Sequence, residues 1–142
     1  MRGTKTSSFF LDANVLLYVF DHDATEKRAI AKELVEAALS GGGLVSYQVV
    51  QETLNVLSSS KWRVPVPEIQ NFLNKVLMRL CLVYPTTGLF EGALGISAET
   101  GWTFHDGLIV AAASKAGCSI LYTEDLQDGR VIRDVTIQNP FK

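Results

Sequence analysis

Four acidic side chains stand beside apolar segments, where a negative charge is costly unless it is paired. Asp12 closes the run SSFFLD and Asp125 follows SILYT. Asp106 opens the apolar segment DGLIVAAASKAG, and Glu52 lies within SYQVVQETLNVL. Burying an unpaired carboxylate costs several kcal/mol. A divalent cation such as Mg²⁺ or Mn²⁺ would offset that cost, because these hard ions prefer oxygen ligands.

The elements that must position these acids are predicted by the pattern of apolar residues. Helical periodicity, or a glycine that follows an apolar segment, predicts a short helix after residue 12 and helices over 24–39, 48–59, 68–80, 88–100 and 106–116. Short apolar runs predict strands over 7–12, 44–47, 80–84, 119–123 and 134–138. Continuous apolar strands between helices are typical of an α/β fold with a parallel sheet covered on both faces.

The predicted elements bring the acids to one edge of that sheet. In open α/β sheets, functional sites gather at the carboxyl ends of the strands. Asp12 and Asp125 follow strands, and Asp106 begins the helix that leads into the strand before Asp125. On a helical wheel, Glu52 falls at the border of the apolar arc of its helix. We therefore expect the four carboxylates to meet in one crevice.

Each acid also has a purely structural explanation. Asp12 and Asn14 could cap the following helix, since such side chains accept hydrogen bonds from its first backbone N–H groups. Asp106 could belong to a capping arrangement with Thr103. Glu52 could be an ordinary residue at the border of a helix face.

Other residues near the acids also allow two interpretations. Asp125 could be a turn residue in TEDLQDG. Glu124 and Asp128 could contact an ion through water or be solvated. His105 could touch a substrate or simply lie beside a helix cap. Trp62 could stack on an unpaired base or pack against a loop or a subunit.

Length and composition indicate an ordinary globular chain. Its 142 residues fit one domain, with 47% hydrophobic and 20% charged residues. No apolar run approaches the roughly 18 residues that span a bilayer, and MRGTKTSS has no apolar segment behind it to make a signal peptide. We expect a cytoplasmic protein without membrane contact. Cys81 and Cys118 lie in apolar surroundings, which predicts two buried, reduced thiols.

The net charge gives no global basic surface for a polyanion. It is −2, from 13 Lys and Arg against 15 Asp and Glu. If the four acids hold a cation, the remaining 11 acids against 13 basic residues give +2. A bound divalent cation would make the local field more positive still.

Several other enzyme classes lack their expected motifs in this sequence. The chain has no Gly-x-Gly-x-x-Gly after its first strand and no Walker-type phosphate loop. Its serines lack a nucleophile-elbow setting. A phosphatase with a nucleophilic aspartate would have a second Asp two residues after the first, where this chain has Asn14.

Four segments together carry a resemblance to a known family. FFLDANVLLYVF, SYQVVQETLNVL, HDGLIVAAASKAGCSILYTEDL and VTIQNPF occur in the order expected for the PIN-domain family, and they are most similar to its VapC-type toxin branch. The resemblance implies a three-layer α/β/α sandwich around a mostly parallel sheet of about five strands. It also implies a metal-dependent endoribonuclease that hydrolyses RNA phosphodiester bonds.

The resemblance assigns roles to particular residues. By motif, the family's acidic quartet corresponds to catalytic, metal-holding residues at Asp12, Glu52, Asp106 and Asp125. The metal would be Mg²⁺ or Mn²⁺. Asn14 and Thr123 match the polar neighbours that orient these ligands.

The resemblance also implies a biological setting. It predicts a flexible segment over 1–7 and a single PIN-like domain over 8–142. A toxin of this type would have RNA as substrate, a cognate antitoxin protein as partner and a homodimer as its assembly. The alternative is a catalytically silent PIN-like module that binds RNA or protein without cutting.

Overall fold

The computed structural model describes residues 8–142, so the predicted flexible segment 1–7 lies outside the described residues. The strands are β1 Phe9–Leu11, β2 Gly43–Ser46, β3 Cys81–Val83, β4 Ile120–Tyr122, β5 Val131–Ile132 and β6 Val135–Gln138. The helices are α1 Ala13–Leu17, α2 Thr25–Leu39, α3 Tyr47–Leu57, α4 Val66–Phe72, α5 Met78–Leu80, α6 Thr87–Thr100 and α7 Phe104–Lys115. A 3-10 turn extends α1 over Tyr18–Phe20, and a π-helical stretch, Leu73–Leu77, joins α4 to α5.

The strands of the described chain form one sheet in the order β3-β2-β1-β4-β6-β5. The first five of these are parallel to their neighbours, and only β5 runs antiparallel, against β6. Phe10 of β1 pairs with Leu44 on one side and Leu121 on the other. The predicted mostly parallel α/β fold is confirmed.

Strand β5 is a sixth strand that the sequence pattern did not predict. It is two residues long, and the chain turns into β6 through Arg133 and Asp134, both with positive φ (52° and 64°). Positive φ is uncommon for residues other than glycine. This turn contains neither Gly nor Asn, so the sequence lacks the usual signal of a hairpin turn. Two residues are also too few to show an alternating pattern.

Both faces of the central sheet are covered. Phe10 and Leu11 are consecutive residues of β1, and both have 0% exposure. Because successive strand residues point to opposite faces, helices must lie on both sides of the sheet. The molecule is therefore the three-layer α/β/α sandwich that was expected.

Strand β3 departs from the prediction of a buried strand. It forms the edge of the sheet, and the side chain of Leu82 is 68% exposed between buried Cys81 and Val83. An edge strand with one covered face alternates between buried and exposed positions. The run LCLVY does not show this alternation in its sequence, because the solvent-facing residue Leu82 is itself apolar.

Helix α7 begins two residues before its predicted start. Thr103 is the N-cap, and its Oγ1 accepts a hydrogen bond from the backbone N of Asp106 at 3.2 Å. All residues from 107 to 113 are buried, as the apolar composition predicted. A Cβ on Gly107 would lie 2.5 Å from the carbonyl oxygen of Ala93 in α6. A glycine at this position lets the two helices approach closely beside Asp106.

Cys81 and Cys118 are free and buried. Among residues 8–142, the structure contains no helix with the length and apolar character needed to cross a membrane.

Candidate active site

Asp12 follows β1 directly and is held in place by backbone and side-chain donors. It is the N-cap of α1, and its Oδ1 accepts a hydrogen bond from the backbone N of Ala13 at 2.7 Å. Its Oδ2 accepts one from Thr123 Oγ1 at 2.9 Å. Only 8% of Asp12 is exposed. The same carboxyl group therefore caps α1 through Oδ1 and contacts another site residue through Oδ2.

Asn14 and Thr123 connect Asp12 to Asp125. Asn14 Nδ2 donates to Asp125 Oδ2 and to Thr123 Oγ1, each at 2.9 Å, and more weakly to Asp12 Oδ2 at 3.3 Å. Thr123 Oγ1 also accepts from the backbone N of Asp125 at 3.1 Å. Thr123 itself has 0% exposure. These contacts fix the relative position of two carboxylates that are far apart in the sequence.

The loop that carries Asp125 is anchored on its other side by Glu124. The backbone N of Glu124 donates to Asn14 Oδ1 at 3.3 Å. Its carboxylate accepts hydrogen bonds from Tyr18 Oη and from Lys27 Nζ, the latter at 3.1 Å. The ammonium of Lys27 also lies over the ring of Tyr18, 4.9 Å from its centroid. Glu124 is thus engaged with α1 and α2 and does not line the cavity of the four acids.

One cavity of about 170 Å³, called the acid cavity here, is lined by all four predicted acids. Asp12 and Asp125 enter it from the ends of β1 and β4. Glu52 reaches it from α3 and is half-buried, and Asp106 reaches it from the first turn of α7. The structure therefore brings together the four carboxylates of the predicted quartet.

Two carboxyl groups of the acid cavity, those of Asp12 and Glu52, have raised pKa values. Burial raises the pKa of Asp12 to about 7, and the neighbouring carboxylates Glu52 and Asp125 push it in the same direction. Burial is also the main cause that raises the pKa of Glu52, which His105 partly offsets. Among the ion pairs between described residues, none involves any of the four acids. None of the described residues that line the cavity is a Lys or an Arg.

The donor set fits a hard divalent cation, although the carboxylates do not yet converge on one point. Within residues 8–142, no three His, Cys, Asp or Glu side chains already stand in an arrangement that would hold an ion. None of the hydrogen bonds between described residues involves the carboxylate of Asp106, which leaves that group free to rotate toward the others.

Two polar residues of the cavity were not predicted as site residues. Gln48, one turn before Glu52 in α3, and His105, directly before Asp106, both line the acid cavity. Gln48 Nε2 contacts His105 Nδ1 at 3.1 Å and donates to its backbone oxygen at 3.3 Å. His105 lies beside the cap of α7, as one of its two interpretations expected. The i, i+4 spacing of Gln48 and Glu52 was the available sequence signal for Gln48.

The remaining candidates lie elsewhere. Trp62 is partly buried and packs against the hydrophobic core. Asp128 Oδ1 accepts a hydrogen bond from the backbone N of Asn139 at 2.7 Å. Neither residue lines the acid cavity.

Comparison with known proteins identifies a family and several solved structures to which this chain is similar. The family model described as the PIN domain matches residues 9–131. No curated protein matches the sequence.

Three solved structures have a similar fold. The toxin–antitoxin complex from Klebsiella pneumoniae contains a chain with a TM-score of 0.68 and 18% identity, covering 94% of this chain and 98% of that one. VapC20 from Mycobacterium tuberculosis, a sarcin-ricin loop cleaving toxin, gives a TM-score of 0.62 and 20% identity over 83% and 90%. VapBC-1 from nontypeable Haemophilus influenzae gives 0.63 and 18% over 94% and 98%. At these identities the similarity establishes the shared fold.

Proposed function

The chain belongs to the PIN-domain family, and from that premise we propose that it is a metal-dependent endoribonuclease that hydrolyses RNA phosphodiester bonds. The observation that carries the proposal is the acid cavity, where carboxylates from four separate segments line one space at the carboxyl edge of a parallel sheet. That edge is where α/β sheets place their functional sites. The absence of a balancing Lys or Arg among the described ion pairs leaves these carboxylates available to a cation.

Asp12, Asp106, Asp125 and Glu52 would hold Mg²⁺ or Mn²⁺, and the same four residues are the proposed catalytic residues. When bound, such an ion lowers the pKa of water and neutralises charge on a phosphoryl group. Asp12 and Asp125 enter the site with their side chains already oriented by Asn14.

Thr123 and Asn14 act as positioning residues in this proposal. Thr123 donates its one hydroxyl hydrogen to Asp12 Oδ2, which orients the carboxyl group. Asn14 donates to Asp12 and Asp125 and so keeps two like charges in one network. Outer contacts of this kind commonly affect metal affinity or activity by about 10- to 100-fold.

The biological setting is a further part of the proposal. Similar folds occur in toxin–antitoxin complexes, and one relative is described as a toxin that cleaves the sarcin-ricin loop. We infer that this chain is the toxin of such a pair, with RNA as substrate, an antitoxin protein as partner and a homodimer as its assembly. Two free, buried cysteines are compatible with the reducing cytoplasm.

The test is cleavage of a mixed RNA pool by the purified chain. Reactions contain Mg²⁺, Mn²⁺, EDTA, or EDTA followed by excess Mg²⁺. The proposal expects cutting with either metal, loss of cutting in EDTA, and recovery when Mg²⁺ is restored. If the chain binds RNA but does not cut it under any of the four conditions, the proposal is rejected in favour of the silent binding module.

A further inference from the structure

A second cavity lies beside the acid cavity on the same edge of the sheet. It has a volume of about 250 Å³ and opens where β2 and β3 end, at Ser46 and Val83. The first turns of α3, α6 and α7 surround it. Since β1 and β4 end at the acid cavity, the two cavities are neighbours along the carboxyl edge.

Most of the exposed wall of this second cavity is apolar or aromatic. Leu89 and Leu108 are buried in its lining, whereas Tyr47, Tyr84 and Phe90 are 42%, 50% and 40% exposed. The rings of Tyr47 and Tyr84 lie 6.1 Å apart between centroids. We call this cavity, with these five residues, the aromatic pocket. None of the described residues that line it carries a carboxylate, so it does not repel a polyanion as the acid cavity does.

Gln48 and His105 form a polar partition between the two cavities. Both residues line the aromatic pocket as well as the acid cavity. Gln48 Nε2 faces a carbonyl oxygen, which can only accept, so this atom is the donor of the amide. The same amide nitrogen contacts His105 Nδ1 at 3.1 Å, so Gln48 ties both the ring and the backbone of His105 to α3. In residues 8–142, the buried Gln48 Oε1 has no hydrogen-bond donor.

A nucleobase has the chemistry that this combination would recognise. Its flat faces stack on aromatic side chains, and its edge offers donors and acceptors. The pocket supplies aromatic rings at its mouth and polar groups at the end nearest the acids. Its volume is below the roughly 300–1,000 Å³ that holds a drug-sized ligand, which suits one base better than a peptide helix.

We propose that the aromatic pocket receives one unpaired base of the RNA strand whose phosphate lies at the acid cavity. This inference rests on the proposed function, because it needs RNA at the acids. It adds a substrate class, namely RNA with an unstacked base beside the cleaved bond. The shared wall at Gln48 and His105 makes base and phosphate neighbours.

The test measures how tightly the chain binds a short fluorescein-labelled oligoadenylate and an abasic ribose-phosphate strand of equal length. Ca²⁺ replaces Mg²⁺, and the parent is compared with Tyr84→Ala, Phe90→Ala, Tyr84→Phe and Val131→Ala. Val131 is 62% exposed on β5, at the opposite edge of the sheet from β3, and is the matched apolar control. Thermal unfolding and light scattering of every variant accompany the binding data.

The parent should prefer the strand with bases by roughly 5- to 150-fold, as stacking of one base predicts. Tyr84→Ala and Phe90→Ala should each lose most of this preference, whereas Tyr84→Phe and Val131→Ala should keep it. The salt dependence of binding should be the same in all variants, because no phosphate contact changes.

Full base preference in both alanine variants would overturn the inference. A change from dimer to monomer with the preference intact would also overturn it, and would make the aromatic pocket a contact between two copies. If the parent cuts RNA and its alanine variants keep the base preference, only the inferred base site is rejected and the proposed function stands. A parent that neither binds nor cuts RNA would remove the proposed function as well.

Discussion

The amide nitrogen of Asn14 lies 2.9 Å from Asp125 Oδ2, which joins residues that are 111 positions apart in the chain. The same amide contacts Thr123, whose hydroxyl donates to Asp12. This network holds Asp12 and Asp125, which lie near opposite ends of the chain, at the same edge of the sheet. The other two acids approach from α3 and α7, so the site depends on the packing of those helices as well as on the sheet.

The stability of the metal-free protein should fall as the pH rises from about 4 to about 7. Burial raises the pKa of Asp12 from 3.8 to about 7, so in this range the folded chain keeps a proton that the unfolded chain has released. Asp12→Asn should remove most of this decline and still cap α1, since Asn caps as well as Asp. Urea unfolding in EDTA at about pH 5 and about pH 8 measures both effects.

Asp134→Asn is the matched control for that experiment. Asp134 precedes β6, which runs parallel to β4, and therefore lies at the edge of the sheet away from the acids. The stability of the Asp134→Asn protein should depend on pH in the same way as that of the parent. An Asp12→Asn protein with the full decline would show that another group is responsible.

Thr123→Val should lower both cleavage and stability. The substitution keeps the shape of a fully buried side chain and removes the hydroxyl that donates to Asp12 and accepts from Asn14. We expect cleavage to fall by about 10- to 100-fold and the free energy of unfolding to fall by about 1–3 kcal/mol. Thr53→Val is the control, because Thr53 is equally buried but bonds only to the Val49 carbonyl of its own helix. Equal cleavage by the two variants would contradict the positioning role.

Lys27→Met should slow cleavage although Lys27 does not line the acid cavity. Its ammonium holds Glu124, and the backbone of Glu124 donates to Asn14. We expect up to about a tenfold decrease, mainly in kcat, because the loop with Asp125 loses its anchor. Arg133→Met removes a surface ion pair of similar length, Arg133–Glu99 at 3.0 Å, and should have no effect on cleavage. Identical rates for both variants would rule out this anchoring role.

Gly107→Ala should destabilise the protein and disturb the neighbouring Asp106. The added Cβ would meet the backbone oxygen of Ala93 at 2.5 Å, so α6 and α7 would have to move apart. Overpacking of this kind costs about 1–3 kcal/mol. Gly88→Ala is the control, because a Cβ there has no described neighbour within 4 Å and alanine favours the helix. Thermal unfolding should separate the two variants clearly, and equal melting temperatures would refute the close-packing explanation.

Much of the acid cavity could be predicted because its residues sit at boundaries that sequence patterns mark. Asp12 ends a short apolar run and Asp106 begins a long one, and both boundaries carry capping residues. Parallel topology then forces the strand ends to one edge. The resemblance to a family supplied the proposed roles of Asn14 and Thr123, which local pattern alone left open.

Contacts between distant segments were beyond prediction from local pattern. Glu124 meets Lys27 across 97 positions and Tyr18 across 106 positions, and no periodicity encodes such pairs. The exposure of Leu82 in β3 could not be predicted, because an apolar residue gives the same sequence signal on either face of an edge strand. Strand β5 depends on two residues with positive φ that do not resemble a turn sequence.

The most direct measurement compares RNA cleavage by the parent, Asp106→Asn and Asp134→Asn, all purified in the same way and shown to be folded. The change from Asp to Asn is identical in the two variants, but only Asp106 lines the acid cavity. We expect Asp134→Asn to cut RNA at the parent's rate with Mg²⁺ and Asp106→Asn to show no cutting. Equal cutting by all three proteins would contradict the assignment of the acid cavity as the catalytic site.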